Sequence, residues 1–258
     1  MDIKFLKKAL LECYSNDLCY CKVQEEWNED NKYVGMCAIT ALVVNDYFNG
    51  SICKIYIDGI SHYFNLINSR VIDLTSKQFK NKLDYSNYQI VTREQLLNNL
   101  DTKERYNILK NEIILRLLKN VDKEIYKCNL CNDLVDKFPN AQTVFIGKNI
   151  FETTFLESVK CYPLIRNNLK TCSKNCKSIM LNQIDILTPK LIITLGEFPT
   201  RNLLNFKFDK FKDVVGNIYE VDGYKVLPIY HPSPISPKGY KDNIPIFEKL
   251  KNKIFVEI

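Results

Sequence analysis

Residues 173–196 read SKNCKSIMLNQIDILTPKLIITLG, and this stretch decides the architecture of the second half of the chain. Ser173–Leu187 has the pattern of an amphipathic helix. Pro189 ends it, because proline lacks an N–H and disfavours helical backbone in the residue before it. Leu191–Gly196 is apolar throughout, as in a strand buried on both faces of a parallel sheet. Working outward, Thr143–Gly147 (TVFIG) and Phe155–Lys160 are two earlier strand patterns, and Thr200–Phe206 is a short helix. Tyr224–Tyr230 (YKVLPIY) is a last central strand, followed by His231-Pro232-Ser233. This alternation predicts an α/β fold, a three-layer α/β/α arrangement around a parallel sheet. The ligand crevice of such a sheet lies beyond the carboxyl ends of its strands. Gly147, Gly196 and His231 fall at those ends.

The first half has a different pattern. Met1–Ser15 reads as a helix, and Asn16–Lys32 as irregular chain holding Cys19, Cys21 and Trp27. CAITALVVNDYF at 37–48 is a buried helix with Asn49-Gly50 as its stop signal. Strand patterns follow at Ser51–Ile57, His62–Ile67 and Val71–Leu74, separated by polar turns. Thr92–Leu100 and Thr102–Val121 are helical, the second carrying Leu109, Ile113, Ile114, Leu117 and Leu118 at helical spacing. The expected division is a smaller α+β domain over 1–121 and the α/β domain over 122–258.

The bulk properties restrict the partners. The 258 residues are 46% hydrophobic and 26% charged, ordinary for globular protein. No apolar run spans a bilayer, and the charged start of the chain does not read as a signal peptide. The reading is therefore a cytoplasmic protein with no membrane partner, its oligomeric state open. Ten cysteines in a reducing compartment point to metal or catalysis before disulfides. Residues 121–258 hold 20 Lys and Arg against 15 Asp and Glu, whereas 1–120 hold 16 against 15. The basic excess in the second half is compatible with a DNA partner.

Five cysteines fall within the 49 residues from Cys128 to Cys176. Cys128 and Cys131 form a C-x2-C pair, and Cys161, Cys172 and Cys176 follow. Thiolates select zinc or iron–sulfur clusters, and spacing alone does not choose between them. Five segments add a family resemblance: CNLC at 128–131, FPNAQTVFIG at 138–147, VKCYP at 159–163, CKSIMLNQIDILTPKLIITLG at 176–196 and YHPSPIS at 230–236. Together they resemble the family 4 and family 5 uracil-DNA glycosylases. The resemblance implies a 4Fe-4S cluster on Cys128, Cys131, Cys161 and Cys176, with zinc as the alternative and Cys172 as a spare. It also implies excision of an extruded base, with His231 donating a hydrogen bond to charge on the leaving base. The implied base pocket takes in Gly147, Lys148, Asn149, Gly196 and Ser233. Two departures stand out. Gly147-Lys148-Asn149-Ile150 replaces the family's Gly-x-x-Pro-Gly turn, which positions water, and several tens of residues after it are missing. Glu157 stands where the family's base-reading Asn belongs, and a carboxylate has a different hydrogen-bond preference.

In the first half, Cys37, His62 and Asp73 occur in the order used by papain-like cysteine hydrolases. Cys37 opens a predicted helix, where the dipole favours a thiolate. The chemistry would be a thiolate nucleophile, a histidine base and an orienting carboxylate. GMCAITALVVNDYFNG at 35–50, SHYFN at 61–65, IDLTSKQF at 72–79 and TREQLLNNLDTKERYNILK at 92–110 resemble the YunG-like family of small bacterial proteins. That family commonly has Gln before the cysteine. Here Met36 stands there and cannot serve an oxyanion, though backbone donors could still do so.

Three functions follow as expectations. The first is a DNA-repair protein of glycosylase type, a hydrolase of N-glycosyl bonds directed at a damaged or modified base. The second is a DNA-binding module whose pocket has degenerated and whose cluster is structural. The third is a cysteine hydrolase that the second half merely targets.

Overall fold

The computed structural model describes the chain except residues 1, 129, 131–134, 137–143, 147–152, 157, 159, 161, 164–167, 234–235, 237, 240 and 255–258. It divides into two compact units. One is Met1–Glu124 with Val144–Phe155, and the other is Ile125–Thr143 with Leu156–Ile258. The chain mixes helix and sheet throughout, an α/β composition.

In the first unit, helix α1 (Ile3–Cys13) is capped by Asp2, whose carboxylate accepts the Lys4 N–H at 3.1 Å. The stretch expected to be irregular contains two 3-10 turns, Asn16–Leu18 and Cys21–Glu26. Helix α2 (Cys37–Phe48) buries Ile39 through Val44 and ends on Asn49 and Gly50, both at positive φ. A Cβ on Gly50 would lie 2.5 Å from the Leu66 carbonyl oxygen, so only glycine fits that stop.

Strands β1 (Ser51–Ile57), β2 (Ile60–Ile67), β3 (Arg70–Ile72) and β4 (Gln89–Val91) form an antiparallel sheet in the order β3-β2-β1-β4. Asp58-Gly59 and Asn68-Ser69, all at positive φ, are the two-residue turns that join β1 to β2 and β2 to β3. Strand β4 has no strong pattern of its own and is held at the edge by β1, with Cys53 opposite Ile90. Cys53, Ile55 and Phe64 make the core under the sheet, joined by Tyr85.

Helix α3 (Arg93–Leu97) begins on a capping box between Thr92 and Gln95. Helix α4 (Leu100–Lys127) buries Leu109, Ile113, Ile114, Leu117 and Leu118 and continues through the expected 121/122 boundary. No residue there stops a helix, since neither Gly nor Pro interrupts 100–127.

Four short strands follow: β5 (Val135–Asp136), β6 (Val144–Ile146), β7 (Thr153–Phe155) and β8 (Tyr162–Pro163). Strand β6 pairs antiparallel with β7, and β5 with β8. TVFIG is expected in the parallel sheet, but its described partner is the antiparallel β7. Only six residues, 147–152, separate β6 from β7. A parallel connection needs a crossover of roughly a dozen or more residues, whereas an antiparallel pair needs only a short turn. The short segment thus makes β6 and β7 an antiparallel pair. The second expected strand, Phe155–Lys160, coincides with strand only at Phe155, the last residue of β7.

Helix α5 (Leu169–Leu187) ends on Thr188 in the left-handed region, one residue before Pro189. It starts four residues earlier than expected, so Cys176 lies two turns inside it and does not open it. Strand β9 (Ile192–Leu195), helix α6 (Glu197–Leu203), β10 (Tyr219–Val221), β11 (Tyr224–Ile229) and helix α7 (Ile244–Ile254) complete the unit. The sheet order is β10-β11-β9, with β11 parallel to β9 and antiparallel to β10. The described sheet is therefore mixed. β10 arises from the Asp222-Gly223 turn, which folds Tyr219–Val221 back onto β11. Met180 and Ile184 of α5 pack with Leu203, Leu204, Val221 and Val226 on one side of it. Leu227 and Ile229 pack with Ile246 of α7.

Candidate functional site

His231 follows β11 immediately, and Gly196 follows the parallel β9. The Gly196 N–H donates to the Ile229 carbonyl at 2.8 Å, which holds the two strand ends together. Gly196 sits at φ 92, and a Cβ on it would lie 3.3 Å from the His231 Cβ. Glycine at 196 thus lets the histidine lie against the strand end. Behind it, the Thr200 hydroxyl donates to the Gly196 carbonyl at 2.7 Å and meets the Thr194 hydroxyl at 2.8 Å.

Asn243, buried just before α7, fixes the residue preceding His231. It accepts the Tyr230 N–H at 3.0 Å and donates to the Tyr230 carbonyl at 2.8 Å. The Ser233 N–H then donates to His231 Nδ1 at 3.2 Å. A neutral imidazole that accepts at Nδ1 carries its proton on Nε2. The side chain is exposed, so this arrangement presents an Nε2–H donor to a ligand. Gly147, Lys148, Asn149 and Glu157, which the sequence reading assigned to the same pocket or its chemistry, lie outside the described residues.

Of the cysteines, Cys176 is 4% exposed and Cys172 is fully buried, both on α5. Cys128 is half-buried just beyond α4. Cys131 and Cys161 lie outside the described residues, and among the described residues no set of three or more metal-ligating side chains gathers. Two hydrogen bonds converge on one turn of α5. The backbone N–H of Lys160, the residue before Cys161, donates to Cys176 Sγ at 3.5 Å. The Asn175 side chain donates to the carbonyl of Leu130, between Cys128 and Cys131, at 3.2 Å.

The first unit brings Cys37, His62 and Asp73 together. Cys37 is the first residue of α2, where backbone N–H groups have no intrahelical partner. His62 lies on β2, 1% exposed, and its Nε2 is 2.6 Å from Asp73 Oδ2. Asp73 is held in turn by the Thr75 N–H at 2.9 Å, the Thr75 hydroxyl at 3.2 Å and the Tyr85 hydroxyl at 2.8 Å. Burial pushes Asp73 up, but His62, Thr75 and Tyr85 outweigh it and hold the carboxyl below its usual range. Burial pushes His62 down. Its hydrogen bonds to Asp73 and to the Cys37 side chain outweigh that and raise it to about 9. Phe79 packs edge-on to the ring, with centroids 4.8 Å apart. The arrangement can take a proton from the thiol and hold it as imidazolium beside a carboxylate.

A family model described as YunG protein matches residues 2–118, and one described as Uracil DNA glycosylase superfamily matches residues 106–254. YunG of Bacillus subtilis (strain 168) is 33% identical over 99 residues, 38% of this chain and 84% of that protein. The chain belongs to the YunG family and to the uracil DNA glycosylase superfamily. A type-4 uracil-DNA glycosylase of Archaeoglobus fulgidus (strain ATCC 49558 / DSM 4304 / JCM 9628 / NBRC 100126 / VC-16) is 30% identical over 69 residues. That match covers 24% of this chain and 35% of the relative. Residues 106–118, counted in both matches, lie within α4.

Sequence reasoning missed several residues that shape these sites. In the glycosylase-superfamily part, Asn243 and Lys160 act through a side-chain clamp on the backbone and through a backbone N–H, which no motif encodes. In the YunG part, Thr75, Gln78 and Tyr85 surround His62 and Asp73. Thr75 and Gln78 were inside the quoted stretch IDLTSKQF, but periodicity gave them no role. Among the described residues, no helix is long and apolar enough to cross a membrane.

Proposed function

We propose that the glycosylase-superfamily part is a DNA-directed module in which Cys128, Cys131, Cys161 and Cys176 hold a 4Fe-4S cluster. The observation that carries this is the pair of hydrogen bonds onto one turn of α5, Lys160 N–H to Cys176 and Asn175 to Leu130. They draw the neighbours of all four cysteines to one place. The donor set fits the group, since thiolates favour iron–sulfur clusters and an N–H pointing at a ligating sulfur tunes it. Bound there, the cluster would supply a rigid link between these segments and a one-electron redox centre. A three-layer α/β/α sheet of glycosylase type, DNA binding through the basic second half, base excision and a place in the reducing cytoplasm belong to the same proposal.

Within it, His231 donates Nε2–H to an extruded base as negative charge develops on the leaving group. Gly196 and Ser233 position it, and Glu157 and the 147–149 segment complete the pocket. The deciding experiment is anaerobic purification with quantification of iron, acid-labile sulfide and zinc. About four irons and four sulfides per chain are expected. Stoichiometric zinc in colourless protein keeps the ligands and ends the iron–sulfur reading.

A second reading concerns the YunG part and rests on the 2.6 Å contact of His62 with Asp73 beside Cys37. Here Cys37 is a nucleophile in a papain-like arrangement, His62 its base and Asp73 the orienting group. Iodoacetamide labelling read cysteine by cysteine tests it.

A further inference from the structure

We propose that Gln78 is the oxyanion donor of the Cys37 site, taking the place of the glutamine that Met36 displaces. The inference rests on the reading of Cys37 as a nucleophile. Met36 precedes the cysteine, is fully buried and has no N–H in its side chain. Any side-chain donor must therefore come from elsewhere in the fold, in addition to the backbone N–H groups at the start of α2.

Gln78 closes the 3-10 turn Ser76–Gln78. Its Nε2 donates to the Thr75 carbonyl at 3.1 Å and lies 3.3 Å from His62 Nδ1. The amide nitrogen has two hydrogens, and the bond to Thr75 fixes where the second one points. That direction is Nδ1. His62 Nε2 is already taken by Asp73 at 2.6 Å, so the Cys37 hydrogen bond also falls on Nδ1. Gln78 and the thiol thus address the same ring nitrogen.

When the imidazole is neutral, the single lone pair of Nδ1 can accept from either group, and the raised His62 value favours the protonated ring. When the Cys37 proton moves to Nδ1, that nitrogen becomes a donor. The second amide hydrogen of Gln78 then loses its ring acceptor, at a nitrogen that the Cys37 thiol also addresses. It is placed to meet negative charge that develops next to sulfur. The unpartnered N–H groups at the start of α2 supply further donors on the same side. The other groups around the ring are Asp73, Tyr85 and Phe79, and Tyr14 and Tyr63 lie within electrostatic reach of Cys37. Among these only the tyrosine hydroxyls are donors. Those of Tyr85 and Tyr14 are bonded to Asp73 and paired with Thr40, and that of Tyr63 meets Ser61.

The chemistry can be written out with an acyl probe. The Cys37 thiolate attacks the carbonyl carbon of p-nitrophenyl acetate. A C–S bond forms and the carbonyl π pair moves to oxygen. The oxyanion returns its pair, p-nitrophenolate leaves, and a thioester remains on Cys37. His62 keeps the proton it took. Iodoacetamide reacts with the same thiolate by displacing iodide at a saturated carbon, with no oxyanion.

The two probes separate the roles in the full-length protein. Gln78→Leu should slow acylation by p-nitrophenyl acetate about a hundredfold or more, the usual loss for one oxyanion donor. Iodoacetamide alkylation of Cys37 should change less than about threefold, since thiolate formation is kept. If Gln78→Leu lowers both rates, the isosteric Gln78→Glu decides, because a carboxylate keeps the shape and removes the donor. It should show the same selective loss of acylation. Equal losses with both probes in Gln78→Glu, or no loss of acylation in either variant, overturn the proposal. Wild-type Cys37 that reacts with neither probe overturns the nucleophile reading itself.

Discussion

The backbone N–H of Lys160 points at the thiol sulfur of Cys176 across 3.5 Å. An N–H aimed at sulfur is a weak bond to a thiol and a much better one to a thiolate. The contact suits a deprotonated, metal-bound Cys176, although the residue is buried among α5 neighbours. One turn earlier, Cys172 is as deeply buried on α5, but the family resemblance leaves it outside the four-cysteine ligand set.

That difference gives a paired prediction. Cys176→Ser should lose bound iron and the visible absorption that goes with it, and should lower the melting temperature of the second half. Cys172→Ser should keep the iron. It should cost only about 1–3 kcal/mol, the effect of placing a hydroxyl in an apolar site. Iron content beside a urea melt checks both. Loss of iron in Cys172→Ser would mean that the spare and the ligand were assigned the wrong way round.

Cys37 is predicted to stand apart from the other thiols in its own unit. Burial pushes Cys13 and Cys53 up, so both should label slowly. Cys21 is exposed and gives an ordinary reference. Cys37 should react with iodoacetamide faster than Cys21, because His62 stands where it can take the thiol proton. His62→Ala should remove that advantage. Site-resolved mass spectrometry reads it directly. A Cys37 no faster than Cys21 would make it a packing residue.

The His62–Asp73 pair also predicts a pH dependence of stability. The folded His62 value of about 9 lies above the ordinary unfolded value of about 6.5. Stability from this group is therefore fully present below about pH 6.5 and is lost as pH rises through 9. A shift of that size corresponds to roughly 3 kcal/mol. Urea unfolding of the wild type should weaken between pH 6.5 and 9 more than that of Asp73→Asn, which lacks the negative partner. Parallel curves for the two proteins would show that the contact does not hold a charged histidine.

Much of this was legible in the sequence because it depends on local signals. The stop of α2 at Asn49-Gly50 and the turns at Asp58-Gly59 and Asn68-Ser69 are written as residues that tolerate positive φ. The α5 to β9 junction is written in Pro189 and in the apolar run after it. Strand β4 was not legible, since Gln89–Val91 is a strand only because β1 offers it an edge. The antiparallel pairing of β6 was hidden for a different reason. TVFIG has the composition of a parallel core strand, and what decides its partner is the length of the connection after it. At the sites, the order Cys37, His62, Asp73 could be read, but Gln78 and Tyr85 could not. Their roles exist only once the 3-10 turn and the chain after it close around His62.

The last prediction concerns DNA and the role of His231. Binding by the basic second half should weaken steeply with salt, because it releases condensed counterions. Uracil-containing DNA should be cleaved weakly or not at all after alkali, because Lys148 and Asn149 stand where the superfamily's water-positioning turn belongs. If an excised base is found, its release should depend on His231. The Ser233 N–H occupies Nδ1 and leaves Nε2–H as the donor. His231→Ala should therefore lower excision about a hundredfold or more, the effect of removing one donor to developing charge. Binding should be nearly unchanged, because the histidine acts on the base and not on phosphates. Asn243→Ala is the sharper test. Asn243 hydrogen-bonds the backbone of Tyr230 and Gly239, so Asn243→Ala should lower excision by misplacing the strand end while leaving the imidazole present. Excision that survives both substitutions would mean that the leaving base is stabilised by other groups. Binding that ignores salt would remove DNA as the partner altogether.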